Sequence, residues 1–297
     1  MKRTVTFLIL LLSLQFGFSQ AKEPLTTDPN GKELLLGEIK KTDLTKNSFS
    51  NWFNKNYDDY LINKSIVKNL KDTLNQYDIK LFLGTWCGDS RREVPKFYKV
   101  LHAAKFPEKQ LQVIAVNRTE DAYKQSPNHE EQGLNIHRVP TFIFYKNGKE
   151  INRIVESPVE TLERDIHKII IDKKYTPNYV AANYMNYLLS SKSIDILKLD
   201  ETILVSRLAE FVKGSRELNT YGYSLLRSNQ FKKALYLFDL NTKIFPYNHN
   251  VYDSLGEAYL KSQNYNEALK NYYKVLSLKP DDKNATEMIE KIKKELS

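Results

Sequence analysis

The sequence has 297 residues, of which 41% are hydrophobic and 27% are charged, with ten glycines and ten prolines. This composition supplies enough apolar side chains for about two packed domains, and it excludes collagen-like, low-complexity and wholly disordered chains. The formal net charge is +9, but the basic residues occur as scattered doublets rather than as one stripe, so the sequence predicts no nucleic-acid partner.

The first residues carry the pattern of an export signal. Two basic residues precede an apolar stretch at residues 5–14, and small side chains follow at Gly17 and Ser19. This pattern is typical of a signal peptide that is cleaved before Gln20 or two residues later. The apolar stretch is shorter than the roughly 20 residues that span a bilayer. We therefore expect residues 1–19 to be removed and the mature protein to be exported, in a periplasmic location, without a stable membrane span.

Hydrophobic periodicity predicts alternating helices and strands over residues 49–170. The predicted elements, in chain order, are a helix at 49–76, a strand at 79–83, a helix at 90–104, a strand at 111–116, a loop with a short helix at 117–138, a strand hairpin at 142–145 and 151–155, and a helix from a capping box at 157–160 to residue 170. Asn147 and Gly148 suit the tight turn of the hairpin, which requires positive φ values. This order predicts an α/β sandwich with a small mixed sheet flanked by helices.

Strand signals end after Tyr175, and the remaining sequence predicts helices only. From residue 214 onward the sequence repeats with a period of 34. The repeated pairs are Gly222 and Gly256, Ala234 and Ala268, Phe238 and Tyr272, and Pro246 and Pro280. The period and the residue types resemble the tetratricopeptide repeat, a helical hairpin whose stacked arrays bind protein partners.

We therefore expect a helical connector at 173–213, which stacks on one end of the repeats, and two repeats plus a capping helix at 214–297. The apolar positions of the capping helix are Ala285, Met288, Ile289, Ile292 and Leu296. The tyrosines and other aromatic residues of 219–276 fall at core positions and are interpreted as packing residues. The sequence does not identify the partner.

The single cysteine, Cys87, lies where a predicted strand ends and a predicted helix begins. The unpaired N–H groups and the dipole at a helix N-terminus favour a thiolate. Asp89 opposes this effect whereas Arg91 and Arg92 support it, so the sequence leaves the net result open. A solitary thiol in an oxidising compartment indicates a reactive role or an intermolecular disulfide.

Residues 35–172 resemble the thioredoxin family. The resemblance rests on the sequence Trp86-Cys87-Gly88-Asp89-Ser90 after a strand, on Pro95 eight residues beyond the cysteine, and on Val139-Pro140-Thr141 before the hairpin. It implies a thioredoxin-like fold in which Cys87 is the nucleophile and the peptide bond before Pro140 is cis. It also implies that a substrate chain contacts Trp86, Gly88, Asp89, Val139, Pro140 and Thr141.

Two positions depart from the family pattern. Ser90 stands where the family has a second, resolving cysteine, and Leu81 stands where many members have a buried acid. Release of a reduced product from a mixed disulfide needs another thiolate, so the sequence predicts no autonomous dithiol cycle. Ser90 is interpreted either as a hydrogen-bond donor to the Cys87 thiolate or as an ordinary residue of the first helical turn.

These observations predict an exported monothiol protein that acts in thiol–disulfide exchange or isomerisation on protein or peptide substrates, with helical repeats for partner binding. One alternative is a non-enzymatic peptide-binding scaffold with a vestigial redox site, and another is a dimer linked through Cys87. The five histidines lack the spacing of metal ligands, so neither a metal nor any other cofactor is predicted.

Overall fold

The computed structural model describes residues 24–119 and 121–296. The predicted signal peptide lies outside the described residues. None of the helices in these two ranges combines the length and the apolar character that crossing a bilayer requires.

Within the described residues, seven strands precede the helical C-terminal part. They are β1 (Leu25–Thr27), β2 (Glu33–Leu35), β3 (Gly37–Glu38), β4 (Asp78–Leu83), β5 (Leu111–Ala115), β6 (Thr141–Lys146) and β7 (Lys149–Val155). β1 and β2 form a separate antiparallel pair, and the other five strands form one mixed sheet in the order β3-β5-β4-β6-β7. Only β4 and β5 are parallel among the neighbours of this sheet. The predicted mixed sheet is therefore confirmed.

The β6–β7 hairpin follows directly from its turn sequence. Asn147 and Gly148 have φ values of 52° and 73°, which are the positive values that a two-residue turn needs. Side chains alternate across the sheet because successive residues of a strand point to opposite faces. Thus Leu81 belongs to the cluster on one face and Phe82 to the cluster on the other.

The helices of this part pack on the first of these two faces. They are α1 (Lys41–Leu44), α2 (Ser50–Asp59), α3 (Lys64–Leu70), α4 (Gly88–Ala103) and α5 (Leu162–His167), with short 3-10 turns at Asn47–Phe49, Leu74–Gln76 and Glu108–Gln110 and a π-helical turn at Lys168–Asp172. Phe53 of α2, Leu70 of α3, Phe97 of α4 and Ile166 of α5 are buried with Leu81 in one cluster. The sheet and these helices form the predicted α/β core.

The predicted helix at 49–76 is wrong in one respect, because the structure divides it into α2, α3 and a 3-10 turn. Tyr60 is extended after the end of α2, and Asn63 caps the start of α3 by accepting a hydrogen bond from the Ile66 N–H at 3.2 Å. Asparagine is among the preferred residues at this position. The apolar period continues across the break, which is why the sequence predicts a single helix.

The predicted capping box at 157–160 is also wrong, because α5 begins at Leu162. The Thr161 side chain accepts a hydrogen bond from the Arg164 N–H and provides the cap. The Asp165 carboxylate accepts hydrogen bonds from the Val159 and Glu160 N–H groups at 2.6 and 3.1 Å. These bonds hold the preceding residues in a turn outside the helix.

The segment 117–138 forms turns where it is described, and the short helix predicted there is not found. Its own side chains hold it: the Glu131 carboxylate accepts a hydrogen bond from the Ser126 N–H at 2.9 Å. The end of this segment covers the second face of the sheet, where a buried cluster comprises Phe82, Ile114, Val116, Ile136, Val139 and Ile143. Turns, rather than a helix, therefore occupy the face next to Cys87.

The C-terminal part is all helical. Its helices are α6 (Val180–Ser191), α7 (Ile194–Leu199), α8 (Glu201–Phe211), α9 (Ser215–Arg227), α10 (Phe231–Ile244), α11 (His249–Lys261), α12 (Tyr265–Leu278) and α13 (Lys283–Leu296). This confirms the predicted fold class of an α/β thioredoxin-like sandwich followed by an all-α region.

Two helical hairpins, α9–α10 and α11–α12, reproduce the 34-residue period in space. Gly222 faces the Phe238 ring and Gly256 faces the Tyr272 ring, so the small residue of each first helix admits an aromatic ring of the second. The turns match as well, since Asn229 and Gln263, 34 residues apart, both have positive φ values. The arrangement is consistent with tetratricopeptide-like repeats.

Helices also close both ends of the hairpins. Residues of α6 and α8 share one buried cluster with α9 and α10, as expected for the connector. At the other end, Ala285, Ile289 and Ile292 of α13 are buried against α12, and Met288 is partly buried beside them. Leu296 differs from the expectation, because it is 51% exposed at the end of the last helix.

Candidate thiol site

Cys87 occupies the N-cap position of α4, directly after the loop that leaves β4. Its backbone is extended, with φ −86° and ψ 127°, and its N–H donates to the Gly84 carbonyl at 2.9 Å. The residue is partly exposed. The predicted position of the thiol at a strand-to-helix junction is therefore confirmed, and the N–H groups of the first helical turn follow it in sequence.

The Trp86 side chain is held against the loop that carries Cys87. Its indole Nε1 donates a hydrogen bond to the Val116 carbonyl at 2.9 Å. A Cβ atom added at Gly84 would lie 2.6 Å from Trp86 Cε2. The absence of a side chain at Gly84 thus leaves the space that the indole occupies.

The substitution Gly84→Ala is expected to displace Trp86 and to change the accessibility of Cys87. A contact of 2.6 Å cannot be maintained, and overpacking of this kind typically costs about 1–3 kcal/mol. Trp86 fluorescence and the rate at which iodoacetamide alkylates Cys87 would both change. Gly256→Ala in α11 is the control away from the site, because a Cβ added there meets only the Tyr272 ring, at 3.2 Å, among its nearest atoms. Equal effects of the two substitutions would contradict the prediction.

The loop before β6 lies beside the thiol. The Val139–Pro140 peptide bond is cis, as the resemblance implies, and the Cys87 thiol donates to the Val139 carbonyl at 3.3 Å. The Pro140 carbonyl accepts a hydrogen bond from the Glu156 N–H, and the Thr141 hydroxyl donates to the Arg138 carbonyl. The side chains of Val139 and Thr141 are buried, so a substrate would meet chiefly the backbone of this loop.

Ser90 lies in the first turn of α4 and is fully buried. Its hydroxyl oxygen accepts a hydrogen bond from the Gly84 N–H at 3.2 Å. No hydrogen bond joins Ser90 to the Cys87 sulfur in the described part of the chain, which favours its interpretation as an ordinary first-turn residue. Leu81 is fully buried in the sheet, so the position of the expected acid is apolar in space as well as in sequence.

Most of the charged side chains that follow Cys87 in sequence form ion pairs with one another. Asp89 pairs with Arg92 at 2.7 Å, and Arg92 also pairs with the buried Glu93 at 2.6 Å. The Arg91 Nε donates to the Thr85 carbonyl at 2.6 Å. Because Asp89 and Arg92 are paired and partly exposed, solvent screens their net effect on the thiol.

Four further residues near the thiol were not predicted from the sequence. They are Tyr123, Lys124, Arg138 and Arg227. The Tyr123 ring lies 5.2 Å from the Trp86 ring. Lys124 Nζ donates to the His137 carbonyl at 2.6 Å. Burial, together with the positive charges of Arg138 and Arg227, lowers the pKa of Lys124 to about 7, whereas Cys87 acts in the opposite direction. The only signal in the sequence is the pair Tyr123-Lys124 within a segment that was predicted as a connector.

His137 is buried between the two parts of the chain. Burial lowers its pKa to about 3, so the imidazole is neutral at ordinary pH. Its ring contacts the ring of Tyr179 at 5.4 Å. No group of three histidine, cysteine, aspartate or glutamate side chains suited to a metal ion occurs within 24–119 and 121–296.

Comparison with known proteins agrees with this geometry. Residues 54–168 match the family model described as Thioredoxin. Residues 54–168 form a thioredoxin domain. This domain is similar to a curated "Thioredoxin H-type" of Picea mariana, with 32% identity over 85 residues, which cover 29% of this chain and 60% of the relative. It is also similar to "Thioredoxin H2" of Arabidopsis thaliana, with 30% identity over 88 residues, 30% of this chain and 59% of the relative.

The chain spans about three fifths of the length of these relatives. The matched range begins within α2 and ends just after α5, so it contains Cys87 and Pro140. The helical region lies beyond the matched range.

Proposed function

We propose that this chain is an exported monothiol protein that exchanges or isomerises disulfides in protein substrates, and that its C-terminal helices bind a protein partner. The observation that carries the proposal is the position of Cys87. Its thiol is partly exposed at the start of α4 and donates to the carbonyl of Val139, next to Pro140. A substrate chain that lies along this loop would bring its own sulfur to the nucleophile.

The first step is attack by the Cys87 thiolate on one sulfur of a substrate disulfide. A bond forms between the Cys87 sulfur and that substrate sulfur, and the substrate S–S bond breaks. The second substrate sulfur leaves as a thiolate and takes up a proton. The N–H groups of Gly88 and Ser90 at the start of α4 stabilise the negative charge on Cys87 before the attack.

The second step must use a thiol from outside this chain, either of the substrate or of another molecule, because the chain has one cysteine. In the isomerisation that thiol belongs to the substrate. A free substrate thiolate attacks the substrate sulfur of the mixed disulfide, which forms a new disulfide in the substrate and returns Cys87 as a thiolate. No electrons are gained or lost overall. The cycle is therefore an isomerisation, and it needs no external oxidant or reductant.

The test is the recovery of active ribonuclease A from a scrambled, partly reduced form. The wild-type protein is expected to speed the recovery, and Cys87→Ser is expected to remove the effect. If Cys87→Ser works as well as the wild type, the exchange function is wrong, and a non-enzymatic scaffold is the better explanation. Non-reducing electrophoresis of the protein alone separates both outcomes from a Cys87-linked dimer.

A second variant tests the role of the missing thiol. Ser90→Cys places a thiol one helical turn from Cys87, where it can attack the Cys87 sulfur of the mixed disulfide and release the reduced substrate. The mixed disulfide with ribonuclease is expected to accumulate in the wild type and to disappear faster in Ser90→Cys. Equal lifetimes in the two proteins would show that the serine is not what limits release.

Export and partner binding rest on the sequence pattern. The proposed signal peptide predicts a mature chain that begins near Gln20, which N-terminal sequencing of the protein from its native host would test. The proposed tetratricopeptide repeats are supported by the 34-residue spacing of their glycine, alanine and aromatic positions and by the matching turns at Asn229 and Gln263.

A further inference from the structure

The helical region contacts the thioredoxin domain next to the thiol site. Thr220 of α9 donates a hydrogen bond from its hydroxyl to the His137 carbonyl at 2.9 Å, and Gln125 Nε2 donates to the Arg227 carbonyl at 3.2 Å. His137 lies two residues before Val139, whose carbonyl accepts the Cys87 thiol. The helix α9 is therefore bonded through its middle to the segment that leads into the loop beside Cys87, and through its end to Gln125.

Tyr123 connects this helix to the wall of the thiol site. Its ring contacts the Trp86 ring at 5.2 Å on one side. The guanidinium of Arg227 lies 4.3 Å from the centre of the same ring, and Lys124 Nζ lies 4.8 Å from it. Cations at these distances are attracted to an aromatic ring. A residue of the helical region thus reaches the immediate surroundings of Trp86 and Cys87.

Charged side chains surround Tyr123 and Lys124 beside the thiol site. Cys87, Arg138 and Arg227 all lie close enough to influence the titration of both Tyr123 and Lys124. We call Arg138 and Arg227, which keep their charge at neutral and alkaline pH, the cationic wall. Arg138 belongs to the thioredoxin domain and Arg227 belongs to α9.

The negative groups near the wall neutralise it only in part. Glu156 pairs with Arg138 at 2.9 Å, and Asp89 pairs with Arg92 rather than with the wall. Within the described residues Arg227 forms no ion pair, and its buried Nε has no hydrogen-bond partner. Arg227 therefore contributes an uncompensated positive charge to this side of the site.

We propose that the cationic wall selects substrate segments in which carboxylates flank the reacting cysteine. This inference rests on the proposed function and names the substrate class of the same site. Opposite charges at the rim of a site raise the rate of productive encounter and reject wrong partners. Arg227 is then a specificity residue that the helical region supplies to the thiol chemistry of the domain.

The test uses two synthetic peptides that are identical except for the residues flanking one cysteine, which are aspartates in one peptide and lysines in the other. Each cysteine is activated as a mixed disulfide with 2-thiopyridine. The Cys87 thiolate attacks the peptide sulfur, a Cys87–peptide disulfide forms, and 2-thiopyridone leaves and is followed by absorbance. Rates are divided by those of 2-mercaptoethanol with the same peptides, which removes intrinsic differences in peptide reactivity.

The wild type is expected to prefer the acidic peptide by about tenfold at low salt. One charge several ångströms away in water changes such a rate by about threefold, so Arg227→Gln is expected to lower the preference by about that factor. Arg227→Lys keeps the charge and should retain the preference. Salt at 0.5 M should weaken it, because screening shortens the reach of the charges.

The matched control is Arg207→Gln, the same substitution on exposed Arg207 of α8, whose side chain contacts Tyr184. It should leave the preference unchanged. If the wild type reacts equally fast with both peptides, or if Arg227→Lys behaves like Arg227→Gln, the inference is wrong while the exchange function stands. If neither peptide reacts faster than with 2-mercaptoethanol, the proposed function itself fails.

Discussion

Replacing Lys124 by methionine is expected to stabilise the protein near pH 7 and to remove a pH dependence of its unfolding. Burial lowers the pKa of Lys124 from 10.5 to about 7 in the folded protein. Lowering of this size corresponds to as much as about 5 kcal/mol of unfavourable free energy when the protein folds with a lysine there. The lost hydrogen bond to the His137 carbonyl offsets about 1 kcal/mol of the gain.

The sign of the pH dependence follows from the protons bound in each state. Between about pH 7 and 10.5 the unfolded chain holds a proton on Lys124 that the folded protein lacks. The free energy of unfolding therefore rises with pH in this window, by as much as about 1.4 kcal/mol per pH unit. Below pH 7 Lys124 carries a proton in both the folded and the unfolded state. The free-energy cost of burying its charge is therefore at its maximum there and does not change with pH. Arg138 and Arg227 lower the pKa in the folded state, and Cys87 and Glu156 raise it.

Urea unfolding between pH 7 and pH 9 measures this slope. The free energy of unfolding of the wild type should increase over this range. For Lys124→Met the slope of this free energy against pH should be lower by the equivalent of about one proton, or about 1.4 kcal/mol per pH unit. Lys270→Met is the control, since Lys270 is exposed on α12 and pairs with Glu267 at 3.4 Å. Identical slopes for the wild type and Lys124→Met would show that the ammonium group of Lys124 is not buried in the folded protein.

Replacing Gly222 by alanine is expected to destabilise the helical region by about 2 kcal/mol. A Cβ atom at this position would lie 2.6 Å from the Phe238 ring, which is fully buried and cannot move freely. Overpacking in a core costs about 1–3 kcal/mol or more, whereas the better helix propensity of alanine returns up to about 1 kcal/mol. The clash is therefore expected to dominate.

Gly256→Ala is the matched control in the second hairpin. Here the added Cβ atom would lie 3.2 Å from the Tyr272 ring, a contact that a small shift relieves. We expect its effect on the free energy of unfolding to be within about 1 kcal/mol of zero, because the helix propensity of alanine offsets the crowding. Thermal unfolding of both variants by circular dichroism compares them. Equal destabilisation would mean that the two hairpins do not pack as the structure shows.

Much of the fold could be predicted because local sequence determines it. The hairpin of β6 and β7 follows from Asn147 and Gly148, which accept positive φ values, and the helical hairpins follow from glycine and aromatic residues at a fixed spacing. The predictions failed where two local signals competed. Ser157 and Thr161 are both suitable helix caps, and the carboxylate of Asp165 decided between them by holding the backbone of 159–160 in a turn.

The residues of the candidate site also fall into those that local sequence predicts and those that it does not. Cys87, Trp86 and Pro140 could be placed from sequence, because a strand-to-helix junction and an X-Pro-Thr loop are local patterns with a known relation in the thioredoxin family. Lys124 and Arg227 could not be placed, because 102 residues separate Gln125 from its hydrogen-bond partner Arg227. Nothing in either local sequence indicates that the two segments meet.

The amino-acid sequence by itself determined that this protein has one thiol at the start of a helix, no second thiol to resolve its disulfides, and a repeated helical C-terminal part. Backbone preference and residue spacing are enough to fix these features. Only the tertiary structure decided which charges surround that thiol, because electrostatic interactions depend on distance in space and on burial. Packing of α9 against the turns of 121–138 sets both quantities.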